Sequence, residues 1–440
     1  MKKYDAYKDS GVKWIGEIPN HWEAIKISRV HPIIGSGTTP LSSREDYYSE
    51  KGLNWLQTGD LNNGLITETS KKITPKAVDE CKMKFYPIHS VVIAMYGATI
   101  GKVGLLDIET ATNQACCIIV PSKRICPKYT FYSFIIAKEE LLLSSFGGGQ
   151  PNISQDIIRK LKVPVPPLSE QQSIASYLDV KTEKIDKMIA KAEKKIEYLG
   201  ELKQSLITRA VTRGLNPNTP LKDSGVNWIG NIPMHWDIAC LRFFLRLING
   251  RAYSQNELLP SGKYKVLRVG NFFTNDSWYY SNMELEPDKY CDKDDLLYAW
   301  SASVGPYIWN EAKTIYHYHI WKVQLATSMD KMYSYYLLRA VTNQKMSDMH
   351  GSTMMHITMG DMNKTKIPIP PLSEQQQIAT YLDTKCSKID HIIASAASDV
   401  YKRQHYRYPK EKNCLSSRTE TKPHYQRSDR QDKSKLTHKA

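Results

Sequence analysis

Two phrases recur in this 440-residue chain, and they constrain its fold more than any other feature. "DSGVKWIGEIPNHWE" spans 9–23 and "DSGVNWIGNIPMHWD" spans 223–237, 214 residues on. "KVPVPPLSEQQSIASYLDVKTEKIDKMIA" spans 162–190 and "KIPIPPLSEQQQIATYLDTKCSKIDHIIA" spans 366–394, 204 residues on. Between the anchors lie dissimilar inserts, 24–161 and 238–365. Near-identical anchors around divergent inserts predict two copies of one unit, with a shared frame and different tasks for the inserts.

The second anchor reads as an extended segment followed by a long helix. Val163-Pro164-Val165-Pro166-Pro167 cannot be helical. Ser169 takes the N-cap place, with Gln172 at the reciprocal capping position and Glu170 in the first turn; Ser373, Gln376 and Glu374 repeat this. An apolar seam follows through Leu178, Ile185, Ile189, Ala192, Ile196, Leu199, Leu206 and Ala210. From Ile185 its steps are 4, 3, 4, 3, a heptad pattern, and the helix is expected over about 170–213. The seam residues Leu178, Ile185, Ile189, Ile196, Leu199 and Leu206 are candidates for helix pairing or subunit docking. In the second copy Leu382, Ile389, Ile392 and Ile393 fill this role. There the stripe stops near Ala397. Residues 396–440 are polar and carry +7 of the net charge of +15, so a basic tail without a core, or a lost reading frame, is expected from 398.

The inserts alternate short apolar runs with turn signals. In the first, 52–66 reads strand–turn–strand, 89–106 two strands around a glycine loop, 111–121 one strand, and 128–146 a helix. In the second, 265–272, 294–309, 315–323 and 330–346 follow the same order. The fold class expected is α+β: two domains with mixed, mainly antiparallel sheets, separated and followed by long coiled-coil helices. The domains are expected at 1–161 and 214–365, with helices at 162–213 and 366–397.

Composition narrows the function. The positive charge favours a polyanion such as nucleic acid. The N-terminus lacks a signal peptide's apolar core, and no apolar run suits a bilayer, so a cytoplasmic location is expected. Eight cysteines without a C-x-x-C pair point to reduced thiols rather than zinc. Gly97–Val103 imitates a phosphate loop but has the wrong glycine spacing, and Val103 stands where a hydroxyl must reach the metal; a tight turn fits better, with a Lys102 phosphate contact open. His317 and His319 in "IYHYHIWKV" fall on one strand face by their period of two, without further ligands for a metal. The acidic run 286–295 reads as a solvated loop. No Asn/Asp-Pro-Pro-aromatic loop suits adenine methylation.

Polar, glycine-punctuated loops carry the remaining signal. In the first insert they hold Ser36, Thr38, Thr39, Gln57, Thr58, Tyr96, Thr99, Lys102, Asn113, Gln150, Asn152 and Ser154. In the second they hold Arg251, Tyr253, Arg268, Asn271, Ser301, Ser303, His317, His319, Ser352 and Thr353. Such side chains read base edges in the major groove, and they also build turns. As a set they fit double-stranded DNA.

With its paired "PxPPLSEQQxIAxYLD" anchors, "DSGVxWIGxIPxHW", "YGATIGKVG", "GQPNIS" and "AWSASVGPYIW…IYHYHIWKV", the chain over 1–395 resembles the specificity subunit of type I restriction-modification systems. The resemblance implies that each insert reads one half of a split DNA target. It implies antiparallel helices that set the spacer and dock methyltransferase subunits, and through them restriction subunits. The chain itself would hold no catalytic residue, metal or cofactor; S-adenosylmethionine, ATP and magnesium would belong to the partners. A shortened second helix would weaken docking on one side. The alternatives are a stand-alone DNA methyltransferase or nuclease, or a recombination cassette without activity of its own. The "DSGV" phrase is expected to seat each domain on the helical frame, its tryptophans packing rather than touching DNA.

Overall fold

The structure is a computed structural model; it describes residues 4–145, 152–273, 275–348 and 356–406. Two compact units divide the chain, one running up to Lys184 and the other spanning Ile185–Gln404.

In the first unit, short wholly apolar runs become buried strands, because a run of four such residues can be covered on both faces. Val91–Ala94, Val103–Leu106 and Cys116–Ile119 are buried throughout. With Ile34–Ser36 and Gly64–Ile66 they form a five-stranded sheet. A three-stranded sheet joins Ala111–Thr112, Tyr48–Leu56 and Lys71–Ile73. The second unit repeats the plan. One sheet orders Leu245–Asn249, Ile320–Leu325, Leu296–Ala299 and Gly305–Ile308. The other orders Tyr279–Ser281, Tyr264–Leu267, Thr314–Tyr316 and Tyr290–Cys291. Most pairings are antiparallel; Tyr48–Leu56 with Ala111–Thr112, Gly64–Ile66 with Val103–Leu106, and Tyr264–Leu267 with Thr314–Tyr316 are parallel.

Several segments depart from the sequence reading. The run 111–121 is two strands in two sheets, not one, because the chain changes sheet between Thr112 and Cys116. The histidine segment does the same: Thr314–Tyr316 and Ile320–Leu325 lie in different sheets. His317 and His319 therefore occupy a turn rather than one strand face. Residues 52–66 run strand, turn, strand as expected, but the strands join different sheets, Tyr48–Leu56 pairing with Lys71–Ile73 and Gly64–Ile66 with Val103–Leu106. The helix expected over 128–146 is divided into Pro127–Ile136 and Lys138–Leu143.

The first long helix is Leu168–Arg213 and the second is Leu372–Tyr406. Both begin one residue before the serine expected to cap them. The Pro167 carbonyl accepts from the Glu170 and Gln171 amides at 2.9 and 3.0 Å, and the Pro371 carbonyl from those of Glu374 and Gln375 at 2.9 and 3.0 Å. Proline thus takes the cap place, and Ser169 and Ser373 lie inside the first turn. The glutamine that matters is also one position earlier. Gln171 and Gln375 are buried, while Gln172 and Gln376 are exposed.

The second helix runs nine residues beyond the expected stop at Ala397. From Leu382 to Val400 its buried and half-buried positions are Leu382, Cys386, Ile389, Ile393, Ala396 and Val400, so the heptad steps persist across that point. Ile392, expected on the seam, is 43% exposed and lies off it. On the first helix Ile185, Ile189, Ala192, Ile196 and Leu199 are half-buried between exposed neighbours. Within the second unit the two helices run antiparallel. Lys203 pairs with Asp390 at 2.6 Å, and Arg403 donates to the Met188 sulfur at 3.2 Å, so one number rises as the other falls. Ile207, Ala210 and Val211 share a core with Ile378, Ala379, Leu382 and Cys386.

The repeated phrases meet each other within each unit. Glu170 accepts from His21 Nε2 at 3.0 Å and Trp22 Nε1 at 2.7 Å. Glu374 accepts from His235 Nε2 at 2.5 Å and Trp236 Nε1 at 3.0 Å. The strand Glu23–Lys26 pairs with Lys162–Val165, and Asp237–Cys240 with Lys366–Ile369. The Gln171 amide donates to the Pro166 carbonyl at 2.8 Å and accepts from the Cys126 amide at 2.8 Å. Gln375 donates to Pro370 at 2.9 Å and accepts from the Asp330 amide at 2.8 Å. Tyr132 donates to Asp179, and Tyr336 to Asp383, both at 2.7 Å. Trp14 and Trp228 pack against the cores. The "DSGV" phrase is therefore the seat for the start of each long helix.

Candidate nucleic-acid interface

In each unit the ends of the two parallel strands form one small platform. The register places Leu56 beside Thr112 and Leu267 beside Tyr316. The next residues leave the sheet together: Gln57 with Asn113, and Arg268 with His317. The Asn113 amide donates to the Leu56 carbonyl at 3.0 Å, and the His317 amide to the Leu267 carbonyl at 2.9 Å. A 3-10 turn follows each long strand, Thr58–Asp60 or Val269–Phe272. Its third residue holds the turn by a side-chain oxygen. Asp60 accepts from the Gln57 amide at 2.8 Å, and Asn271 from the Arg268 amide at 3.1 Å.

Three further connections repeat. The Thr38 amide donates to Thr112 at 2.9 Å, and the Arg251 amide to Tyr316 at 3.1 Å. Met95 donates to Ala115 at 2.8 Å, and Trp300 to His319 at 3.1 Å. Ile153 donates to Met95 at 2.8 Å, and Ile357 to Trp300 at 3.0 Å. Sequence spacing could not show these equivalences, because the inserts differ in length. A glycine sets the closest approach in both. A Cβ on Gly37 would lie 1.7 Å from the Thr112 carbonyl oxygen, and one on Gly250 would lie 2.4 Å from those of Tyr316 and His317. Only glycine lets the backbones pass at that distance.

One backbone frame thus carries two chemistries. The first unit shows Thr38, Gln57 and Asn113, all neutral hydrogen-bonders. The second shows Arg251, Arg268, His317 and His319. Arg251 is committed to Glu257 at 2.6 Å. That bond holds the Glu257 carboxyl at about 2, well below its ordinary value. Arg268 is exposed, lies over the Tyr279 ring at 5.3 Å, and has no carboxylate partner among the described residues. The His317 and His319 rings are 4.8 Å apart, with Trp300 5.0 Å from His319 and Tyr253 stacked on His317. Burial first, then charges including that of Arg268, lowers both histidines, His317 to about 4. Both are neutral at pH 7, so each presents one donor and one acceptor.

Some candidates have structural partners instead. Ser36 lies in a strand and accepts from the Gln155 amide at 2.8 Å. Ser154 caps the helix Gln155–Lys160. Asn271 also donates to the Asn275 and Ser277 carbonyls. Thr39 accepts from the Gln114 amide at 3.4 Å. Tyr96, Thr99 and Lys102 belong to the turn between Val91–Ala94 and Val103–Leu106, where Gly97 and Gly101 have positive φ. Ser301 and Ser303 occupy the corresponding turn of the second unit, and Thr58 starts its 3-10 turn. Asn152 is exposed. Gln150, Ser352 and Thr353 lie outside the described residues.

Three buried side-chain oxygens lack a hydrogen-bond partner among the described residues: Thr112 Oγ1, Asn113 Oδ1 and Tyr253 Oη. All three sit at these platforms. Buried polar atoms are nearly always paired, so three unpaired ones at the platforms set these strand ends apart from the rest of the described interior. No cluster of three or more potential metal ligands occurs among the described residues, and no described helix is long and apolar enough to cross a membrane.

Two divergent strand-end platforms on a repeated, helix-linked frame define a class of paired modules. The profile of the type I restriction modification DNA specificity domain matches residues 19–198 and 233–393, well over half of the chain, and the chain belongs to that family. It is similar to the MjaVIII specificity subunit of Methanocaldococcus jannaschii, 23% identical over 88% of this chain and 91% of that one. It is also similar to the EcoKI specificity subunit of Escherichia coli K12, 24% identical over 66% of this chain and 63% of that one. A solved chain from a study of complex assembly and conformational transition in the type I R-M system superposes with a TM-score of 0.69. That match has 16% identity over 89% of this chain and 96% of the other, and supports the two-domain α+β fold.

Proposed function

We propose that the chain is the DNA-reading, non-catalytic subunit of a type I restriction-modification complex, each unit reading one half of a bipartite target. The observation that carries this is the pair of strand-end platforms. They share one backbone frame and differ in side-chain chemistry, as expected of two readers of unlike half-sites. Phosphate contacts from the basic surface supply affinity, and the platforms supply selectivity. The antiparallel helices set the spacer and dock modification subunits, which carry S-adenosylmethionine; restriction subunits joined through them use ATP and magnesium. The second helix extends through Tyr406, and its seam residue Val400 is buried. At 35 residues against 46 for the first, it remains the shorter helix, and the docking edge it offers is correspondingly shorter.

The test is selection of bound duplexes from a random library by the full chain with its modification partner. The expected product is an asymmetric motif in two parts around an unspecified spacer of fixed length. One continuous motif, or methyl transfer by the purified chain alone, would refute this reading.

A further inference from the structure

We propose that Arg268 selects a guanine in the half-site read by the second unit, and that Gln57 at the same place in the first unit selects an adenine. This rests on the proposed reading of DNA and assigns the base at one position of each half-site. The two residues are equivalent by register: each follows the strand residue, Leu56 or Leu267, that pairs in parallel with Thr112 or Tyr316. Each has its backbone amide tied to the third residue of a 3-10 turn, so the side chain leaves a fixed point in a fixed direction. A rigid origin is what discrimination requires, since a mobile arm binds phosphate equally well anywhere.

The side-chain chemistry then divides the sites. A guanidinium presents two parallel N–H donors that match the O6 and N7 acceptors of guanine. A carboxamide presents one donor and one acceptor, matching N7 and N6–H of adenine. Arg251, the other arginine of the platform, is excluded as the reader because Glu257 occupies it. Arg268 has no such competitor among the described residues and is exposed. Neutral His317 and His319 beside it bring hydrogen-bonding edges without repelling its charge. In the first unit the neighbour is Asn113, whose backbone amide donates to the Leu56 carbonyl at 3.0 Å.

The experiment repeats the random-library selection with the full chain and its modification partner, for the wild type, Arg268→Lys, Arg268→Gln and Gln57→Arg. The wild type should prefer guanine over adenine at one position of one half-site by roughly tenfold or more. Arg268→Lys keeps the charge but loses the fork, so that preference should collapse while overall binding persists. Arg268→Gln should move the preference to adenine, and Gln57→Arg should convert an adenine to guanine in the other half-site alone. A bipartite wild-type motif unchanged by all three variants overturns the assignment and leaves the DNA-reading function intact. Retention of guanine by Arg268→Lys also overturns it, showing a phosphate contact. A wild type that enriches no sequence overturns both.

Discussion

The repeated seat makes an asymmetric prediction. Glu170 and Glu374 accept the same pair of bonds, yet removing them should cost different amounts. Trp236 is fully buried, whereas Trp22 is half-buried. Glu374→Ala leaves the N–H of the fully buried Trp236 indole without its carboxylate partner. A buried unsatisfied donor costs about 1–3 kcal/mol. The histidine arm adds little, because His235 is 46% exposed and exposed pairs contribute at most about 1 kcal/mol. A total near 2 kcal/mol should lower the melting temperature of a unit of about 200 residues by roughly 4–8 °C. Glu170→Ala should cost less than about 1 kcal/mol, since water can replace the carboxylate at Trp22. Scanning calorimetry of both variants reads the difference. Trp236→Phe removes the donor, so Glu374→Ala on that background should lose most of its effect, a coupling of about 1 kcal/mol or more in a double-mutant cycle. Equal costs for the two glutamates, or no coupling, would refute the reasoning.

Two further outcomes follow from burial. Val400→Asp should loosen the end of the second helix, where loss of about 1.5 kcal/mol of burial speeds amide exchange over 398–403 roughly tenfold; unchanged protection would show that this turn is not packed. On acidification, His31 and His317 should both weaken the fold. Burial lowers each below its ordinary 6.5, His317 to about 4, and His31 is held neutral with Nδ1 donating to the Val120 carbonyl at 2.8 Å. Below 6.5 the unfolded chain takes up protons that the folded chain refuses, so stability is full above 6.5 and falls as pH drops toward about 4. Melting temperatures between pH 7.5 and 5 should decline in the wild type and less in a His31→Gln/His317→Gln variant; parallel slopes would remove these histidines as the cause.

The architecture was legible because the anchors are nearly verbatim and their helices obey the heptad. The platforms were not, for a definite reason. "ATNQACCIIVP" looks like one apolar strand, and "IYHYHIWKV" like another. Each is a point where the chain passes from one sheet to the other, and local pattern carries no record of which sheet a strand joins. The residues that leave the sheet there, Asn113 and His317, were visible as polar candidates, but their pairing with Gln57 and Arg268 needs the parallel register. The helix starts were misplaced by the attraction of serine as a cap; the rigid Pro166-Pro167 and Pro370-Pro371 segments hold those carbonyls in place instead. The second helix outlasts the expected stop because Val400 continues the seam past Ala397 within an otherwise polar stretch.

The division between repeated and divergent residues follows from what each must touch. The seat joins parts of the same unit through the buried Gln171 or Gln375, the glutamate beside it, and the tyrosine–aspartate pair about two turns further on. Each of these side chains bonds a group of its own unit, so both copies need the same residues. Gln57, Asn113, Arg268 and His317 project from backbone held by other residues, through Asp60, Asn271 and the close passes at Gly37 and Gly250. Their side chains can therefore change without disturbing the fold beneath them. If the platforms read DNA as proposed, an insert can be exchanged between anchors without disturbing the bonds that assemble each unit, because those bonds end where the platforms begin.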